Sequence, residues 1–219
     1  MQKLNPEITA LVLVDIQNDF LPPSGSLAIP NGDAILPVVH QVLELDWALI
    51  IASQDYHPPD HISFASNHQQ EAECPPKIDP NSGIALWPDH CVQGTIGCEI
   101  ENGIKKLLSQ RDQLVQFVKK GQDPQKEEYS AFDSSGTMDK LLKSRNISTL
   151  VCMGLAADYC LVATARSALT SGYEVYWLSS GTQAVGGQEV QCKIEAELIN
   201  EFPESYKVIN LEELQSYFQ

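Results

Sequence analysis

Reactive side chains stand at the ends of several apolar runs of strand length. Asp15 closes the first run, and the pair Lys119 and Lys120 follows a later one. Cys160 comes after a further run, near the start of a helical pattern. A thiol, a carboxylate and an ammonium group together suit nucleophilic catalysis, in which the carboxylate takes the proton of the thiol. Taken alone, a cysteine is more often a buried structural thiol and a lysine is more often solvated, and an aspartate after a strand can simply cap a loop. The prediction therefore rests on all three residues meeting at one place.

Each of these groups has a defined role in such a site. Cys160 is the candidate nucleophile, because a helix N-terminus and a nearby lysine both favour the thiolate. Asp15 is the candidate base, since burial between apolar walls raises the pKa of a carboxyl group. A lysine would keep both groups charged, and the residue pattern alone does not say whether that lysine is Lys119 or Lys120.

Histidines are concentrated in one part of the chain, where four of the five lie between residues 57 and 90. Asp55 and His57 are two positions apart, which on an extended chain directs both side chains to one side. His90, in the run WPDH, supplies another imidazole from a distant loop. Two imidazoles with one carboxylate suit Zn²⁺, Fe²⁺ or Mn²⁺. His61 is either a fourth ligand or a hydrogen-bonding partner of a metal-bound water, and the sequence leaves both open.

Alternating strands and helices are predicted to bring these residues together. Buried apolar runs followed by helical apolar spacing favour an α/β fold with three layers (αβα), in which helices cover both faces of a mostly parallel six-stranded sheet. Ligands of such sheets bind beyond the carboxyl ends of the strands, where the reactive residues stand. The predicted strands cover 10–16, 47–53, 113–118, 149–153, 174–178 and 206–209, and the predicted helices cover 32–45, 99–109, 137–144, 158–171 and 188–200.

Length and charge limit the classes of protein that this sequence fits. The 219 residues suit one domain, 1–219, with a polar, proline-rich surface loop around 66–83. A net charge of −15 argues against binding to nucleic acid or to an anionic membrane surface, and it leaves a homo-oligomer open. No apolar stretch approaches the roughly 18 residues that a membrane crossing needs. Six cysteines without a CxxC pair favour reduced thiols and a cytoplasmic location.

Longer segments carry the candidate residues in a fixed order. They are VDIQNDF at 14–20, QDYHPPDHISF at 54–64, WPDHCVQGT at 87–95, KG at 120–121, YSAF at 129–132 and GLAADYC at 154–160. Together they resemble the isochorismatase-like cysteine hydrolases and, within that superfamily, the nicotinamidases. The first and last segments are typical of the superfamily, whereas the segments around Asp55 and His90 single out the nicotinamidases. The resemblance extends over nearly the whole chain and implies an isochorismatase-like α/β fold.

By this resemblance the chain is an amide hydrolase that converts nicotinamide to nicotinate and ammonia, in NAD salvage, through a thioester on Cys160. Asp15 is then the base. The lysine of the family directly precedes a glycine, which selects Lys120 over Lys119. The resemblance further implies that the N–H groups of Ala156 and Cys160 form an oxyanion hole, and that the peptide bond preceding Ala156 is cis. Pyrazinamide, another flat azine carboxamide, is expected to be a second substrate.

The resemblance also implies a substrate pocket and a metal ion. Phe20 and Trp87 are expected to sandwich the flat ring of the substrate, and Tyr129 to line the pocket. One divalent ion, with zinc ahead of iron and manganese, is expected to orient the ring through its nitrogen. The implied ligands are Asp55, His57 and His90, with His61 as a fourth ligand or as a neighbour of a metal-bound water.

Three other functions remain open at this point. An amidase of the same superfamily that acts on a ureido or carbamoyl substrate would keep Asp15, Lys120 and Cys160 but has no need of the metal ligands. A metal oxygenase with two histidines and one carboxylate would use only the metal ligands, and the α/β pattern disfavours it. A non-catalytic binding protein leaves no reason for a full set of catalytic residues.

Overall fold

Six parallel strands form the central sheet of the protein. The structure is a computed structural model, which describes residues 4–219. The strands in chain order are β1 (Thr9–Val14), β2 (Leu49–Asp55), β3 (Lys77–Ile78), β4 (Ala85–Leu86), β5 (Val115–Lys120), β6 (Thr149–Leu155), β7 (Glu174–Gln183) and β8 (Tyr206–Ile209). The sheet has the order β5-β2-β1-β6-β7-β8, and every neighbouring pair in it is parallel. β3 and β4 form a separate antiparallel pair. The predicted six-stranded sheet is therefore confirmed.

Helices cover both faces of this sheet, as predicted. In chain order they are α1 (Leu36–Val42), α2 (Asn102–Ser109), α3 (Thr137–Ser144), α4 (Val162–Thr170), α5 (Gly187–Glu201) and α6 (Leu211–Ser216). Buried side chains of α1, α2 and α6 share one apolar core, and those of α3, α4 and α5 share another. Shorter helical turns are the 3₁₀ segments Pro6–Ile8, Asn18–Phe20, Gly32–Ile35 and Ala65–His68 and the π-helical turn Ala157–Leu161.

The central strand β1 is buried on both faces. Leu11 and Leu13 contact the core beneath α1, α2 and α6, whereas Val12 and Val14 contact the core beneath α3, α4 and α5. This alternation follows from the two-residue period of a strand. Burying each of these aliphatic side chains contributes roughly 1.5–3 kcal/mol. The middle of the sheet is therefore a firm platform for Asp15, the residue that follows β1.

Some element boundaries differ from the predicted ones, and several of these differences lie beside the reactive residues. β2 continues to Asp55 and β5 continues to Lys120, because the two strands stay paired up to the register Asp55–Lys120. The helix predicted over 158–171 begins as the π-helical turn Ala157–Leu161 before it becomes α4. α6 and the β3–β4 pair were not predicted, since such short elements carry too little periodicity to be recognised.

The segment 66–83 runs over the surface and is largely exposed from 69 to 78. Burial and the charge of Asp158 raise the pKa of Cys74, which lies in this segment. Within residues 4–219, no helix combines the length and the apolar character needed to cross a membrane.

Candidate active site

Lys120 is the point at which the predicted catalytic residues meet. Along β5, Lys120 is buried and Lys119 is exposed, because side chains alternate along a strand. The Nζ atom of Lys120 lies 2.9 Å from Oδ2 of Asp15 and 3.2 Å from Sγ of Cys160. It also lies 2.5 Å from Oδ1 of Asp55. The carboxyl ends of β1, β2, β5 and β6 thus bring two carboxylates, one ammonium group and one thiol into contact.

Asp15 points toward Lys120 because the chain leaves β1 in a sharp turn, with a φ of +50° at Asp15. Ser53, on β2, holds the residue in place. The Ser53 hydroxyl donates to Oδ1 of Asp15 at 2.6 Å, and the N–H of Asp15 donates to the same hydroxyl oxygen at 3.3 Å. The sequence patterns did not single out Ser53. A usable signal exists, since Ser53 and Asp55 are two positions apart and therefore share one face of β2.

The two buried carboxylates differ in pKa although they share one cation. Burial raises the pKa of Asp15 above its usual value in spite of the opposing charge of Lys120. Burial acts on Asp55 as well, but the charges of Lys120 and His57 outweigh it and lower the pKa of Asp55. Burial alone would lower the pKa of Lys120, yet the two carboxylates raise it well above its ordinary value. Asp55 and Lys120 therefore stay charged, and Asp15 is the group suited to exchange a proton.

Cys160 lies on the π-helical turn directly after β6, where its Sγ accepts a hydrogen bond from Lys120. Its Sγ and a carboxylate oxygen of Asp15 lie within 4.8 Å of each other. Burial raises the pKa of Cys160 well above its ordinary value, against the effect of Lys120 and together with the charges of Asp55 and Asp15. The thiol is therefore protonated, in contrast to the thiolate that a helix N-terminus and a lysine favour. It needs a base before it can act as a nucleophile.

Asp55, His57 and His90 form a second group beside the first, with one ligand atom from each within 4.8 Å of the others. Nε2 of His57 is 3.7 Å from Oδ1 of Asp55, and Nε2 of His90 is 3.9 Å from Oδ2. The two distant segments meet because the backbone of His57 pairs in parallel with Val92. This pairing brings the WPDH segment beside the end of β2.

The hydrogen bonds of the two imidazoles fit a metal ion. Nδ1 of His57 donates to the Gly121 carbonyl at 2.8 Å, and Nδ1 of His90 donates to the Pro88 carbonyl at 2.7 Å. Because a carbonyl only accepts, each ring has a proton on Nδ1, and Nε2 is the nitrogen that faces Asp55. Burial alone would lower the pKa of His57, but the charge of Asp55 raises it, so Nε2 of His57 binds a metal ion only after this ring loses its second proton. Burial and the charge of His57 lower the pKa of His90 to about 4, so this ring is neutral at pH 7. Two imidazoles and one carboxylate are a donor set for Zn²⁺, Fe²⁺ or Mn²⁺.

His61 stands apart from this group, because both of its ring nitrogens already have protein partners. Nδ1 accepts a hydrogen bond from the Ser63 hydroxyl at 2.7 Å, and Nε2 donates to the Lys126 carbonyl at 3.1 Å. The ring lies against His57, with a centroid distance of 4.1 Å. In this arrangement His61 supports His57 from the side and presents no free lone pair.

Both groups open into one pocket, with an empty volume of about 370 Å³. Phe20, Trp87 and Tyr129 line it, and the Tyr129 hydroxyl accepts a hydrogen bond from Nε1 of Trp87 at 3.1 Å. Ala156 and Cys160 line it as well, and the bond between Leu155 and Ala156 is cis, as predicted. The wall is completed by Leu27, Ile29, Asp55, His90, Glu127, Tyr159 and Val185.

Glu127 is a pocket residue that the sequence patterns did not indicate. Burial, together with the charge of Asp55, raises the pKa of its carboxyl group. Residues 121–136, which include Glu127, contain no helix or strand. Periodicity therefore gave no signal for this side chain.

Residues 9–196, which hold every one of these side chains, match the family model of the isochorismatase domain. The match covers more than half of the chain. The chain belongs to the isochorismatase family. The predicted resemblance to this family is confirmed.

Relatives of this isochorismatase-family chain include several nicotinamidases. A nicotinamidase of Escherichia coli is 39% identical over 191 residues, which cover 82% of this chain and 84% of the relative. The structure of a yeast nicotinamidase bound to the inhibitor nicotinaldehyde is 31% identical, with a TM-score of 0.79 over 92% of this chain and 99% of the other. The structure of a Pyrococcus horikoshii pyrazinamidase in complex with zinc is 29% identical, with a TM-score of 0.73 over 93% and 99%.

Gly121 is expected to be essential for the position of His57 in this isochorismatase-family site. Its φ is +65°, and a Cβ atom at this position would overlap the His57 ring. We expect Gly121→Ala to displace His57 and to weaken zinc binding by about 10- to 100-fold, as measured by competition with a chelating dye.

Gly83→Ala is the matched control for this prediction. Gly83 has a similar φ of +71°, but a Cβ atom there would meet nothing within 4 Å. In both variants an alanine must adopt a positive φ, which destabilises the fold by roughly 1–2 kcal/mol. Equal zinc affinities in the two variants would contradict the role assigned to Gly121.

Proposed function

We propose that this protein is a nicotinamidase, which hydrolyses nicotinamide to nicotinate and ammonia, in NAD salvage, and also deamidates pyrazinamide. The observation that carries the proposal is that one pocket is lined both by Cys160, which contacts Lys120, and by Asp55 and His90, which lie beside His57. Phe20 and Trp87, which line the same pocket, suit a flat aromatic ring. The similarity to nicotinamidases from several organisms supports the assignment. An amidase for ureido or carbamoyl substrates would have no use for the second group.

In the proposed reaction, Asp15 takes the proton of Cys160 while Sγ attacks the carboxamide carbon. The N–H groups of Ala156 and Cys160 stabilise the oxyanion, and such donors contribute about 3–4 kcal/mol each to transition-state stabilisation. Asp15 then gives the proton to the leaving ammonia, and a thioester remains. Water, deprotonated by Asp15, releases nicotinate and restores the thiol. Lys120 remains positively charged throughout and holds Asp15 and Cys160 in place.

Asp55, His57 and His90 are the residues that would hold one divalent metal ion, for which we propose zinc ahead of iron or manganese. The zinc complex of the Pyrococcus horikoshii pyrazinamidase supports this order. When bound, the ion would supply a Lewis-acid contact for the ring nitrogen of the substrate, which orients the carboxamide toward Cys160. Phe20, Trp87 and Tyr129 exclude water from the two faces and the rim of the ring.

We further propose that residues 1–219 form one domain, that 66–83 is a surface insertion in it, and that the protein acts in the cytoplasm. The reduced, widely spaced cysteines support this location. The partner is a small molecule, since a net charge of −15 opposes nucleic acid and anionic membranes. A homo-oligomer is compatible with this charge.

Ammonia release from three amides tests the proposed function. We expect turnover of nicotinamide and pyrazinamide and poor turnover of benzamide, which lacks the ring nitrogen. Removal of the metal by a chelator is expected to lower nicotinamide turnover by more than about tenfold and to leave the poor benzamide rate nearly unchanged. Undiminished nicotinamide turnover in metal-free protein would remove the orienting role, and turnover of carbamoyl amides alone would favour the other amidase function.

The metal ligands are tested by His90→Ala, for which we expect a loss of bound zinc and a similar loss of nicotinamide turnover. The matched control is His68→Ala, because Nε2 of His68 bonds only the Ile62 carbonyl at 2.7 Å, away from the pocket. Metal content by atomic absorption is the readout. Stoichiometric zinc retained in His90→Ala would exclude His90 as a ligand.

A further inference from the structure

Gln17 is a fully buried polar residue to which the proposed mechanism gives no role. It lies two positions after Asp15, at the start of the turn Asn18–Phe20, in the first of the segments that define the family resemblance. A buried amide without partners would be costly, so its hydrogen bonds show what the residue does.

The side-chain amide of Gln17 pairs with both polar backbone groups of Asp55. Its Oε1 accepts a hydrogen bond from the N–H of Asp55 at 2.8 Å, and its Nε2 donates to the Asp55 carbonyl at 2.8 Å. The same Nε2 donates to the Cys98 carbonyl at 2.8 Å. Every donor and acceptor of this amide except one lone pair is therefore used.

These hydrogen bonds replace the backbone pairing between β1 and β2, which ends before it reaches Asp55. The register of β1 with β2 ends at Leu13 opposite Ala52, because the chain turns away at Asp15. Asp55, three positions further along β2, has no strand residue of β1 beside it. The Gln17 amide occupies the position of the missing β1 residue. It binds the N–H and the carbonyl of Asp55, as the backbone of a neighbouring strand would.

We propose that Gln17 is a positioning residue that fixes the carboxylate of Asp55 between Lys120 and the two histidines; this inference rests on the proposed function of the site. The Asp55 carboxylate has two tasks, an ion pair with Lys120 and a place among the metal ligands. Oδ1 lies 2.5 Å from Nζ of Lys120 and 3.7 Å from Nε2 of His57, and Oδ2 lies 3.9 Å from Nε2 of His90. A shift of about 0.5 Å is enough to spoil such a site, so a backbone held at both its N–H and its carbonyl keeps the two tasks compatible.

The test compares Gln17→Met with Gln54→Met in the full-length protein. Methionine keeps the length of glutamine and removes its hydrogen bonds. Gln54 is the matched control, because it is also buried and donates to the same Cys98 carbonyl at 2.9 Å, but its side chain lies on the opposite face of β2 from that of Asp55. Zinc affinity by dye competition, the kcat and KM for nicotinamide, and the thermal midpoint are measured for each variant.

We expect Gln17→Met to bind zinc about 10- to 100-fold more weakly and to lose kcat by a similar factor, while Gln54→Met stays within about threefold in both. Gln17→Asn keeps the amide but withdraws it by one methylene group, and it is expected to show a smaller loss in the same direction. If Gln17→Met does not fold, the zinc affinity of Gln17→Asn is compared with that of Gln54→Met instead.

Two outcomes would overturn the proposal. Zinc affinity and kcat within about threefold of the parent in Gln17→Met would show that Asp55 keeps its place without the amide. Equal losses in Gln17→Met and Gln54→Met would assign the effect to the Cys98 segment that both residues bind. Failure of the proposed function is separate from these outcomes, because zinc affinity is measured without any amide substrate.

Discussion

Cys160→Ala is expected to reduce ammonia release from nicotinamide by more than about 10⁴-fold, because no thioester can form without the sulfur. The fold should persist, since Cys160 is a buried residue at the edge of an apolar core and alanine keeps its Cβ. The measurement is the initial rate of ammonia release at saturating nicotinamide, with circular dichroism to check the fold. Near-normal turnover would refute the assignment of the nucleophile.

Cys91→Ala is the matched control for this variant. Cys91 is also buried, and it follows His90 directly in the chain. Its contact with the turn at Asn18–Phe20 is made by its backbone N–H, which donates to Oδ2 of Asp19 at 2.7 Å, so alanine retains the contact. We expect this variant to stay within a few-fold of the parent rate.

Lys120→Ala is expected to lower kcat by about 10³-fold, whereas Lys119→Ala is expected to stay within a few-fold. Removal of the Lys120 charge leaves Asp15 and Asp55 buried without their shared cation, which also lowers stability. Lys119 is exposed on the opposite face of β5, where its Nζ lies 3.6 Å from the centre of the Tyr56 ring. Both kcat and the thermal midpoint are measured for each variant.

The ranking of the two lysines is a test of strand register. A shift of one residue along β5 would exchange the faces of Lys119 and Lys120. A larger loss in Lys119→Ala would therefore show that the pairing of Asp55 with Lys120 is wrong. Equal, small losses would remove the lysine from the catalytic group altogether.

Much of this site could be anticipated from the sequence because its main residues stand at strand ends. Asp15, Lys120 and Cys160 lie far apart in the chain, yet parallel strands bring their carboxyl ends to one edge. The choice between Lys119 and Lys120 needed the resemblance to a family, and the structure gives its physical basis in the alternation of β5.

Other features depend on contacts that no local pattern encodes. The hydrogen bonds between Gln17 and Asp55 depend on the turn after β1, which hydrophobic periodicity does not predict. Glu127 lies in a segment without helix or strand, where there is no periodicity to use. The protonated state of Cys160 depends on the balance between burial, one cation and two anions, which residue types alone do not fix.

The order of the sheet has a consequence for the assembly of the chain. Residues 1–104 contain only two basic residues, Lys3 and Lys77, and they supply both carboxylates of the site through β1 and β2. The strands on either side of this pair, β5 and β6, come from the later half of the chain and bring Lys120 and Cys160. A fragment that stops before β5 would therefore have to bury both carboxylates without the Lys120 ammonium group that contacts each of them, which is unfavourable. The connection between α2 and β5 is accordingly a place where the polypeptide could be divided into two complementary pieces, neither of which completes the site until they recombine.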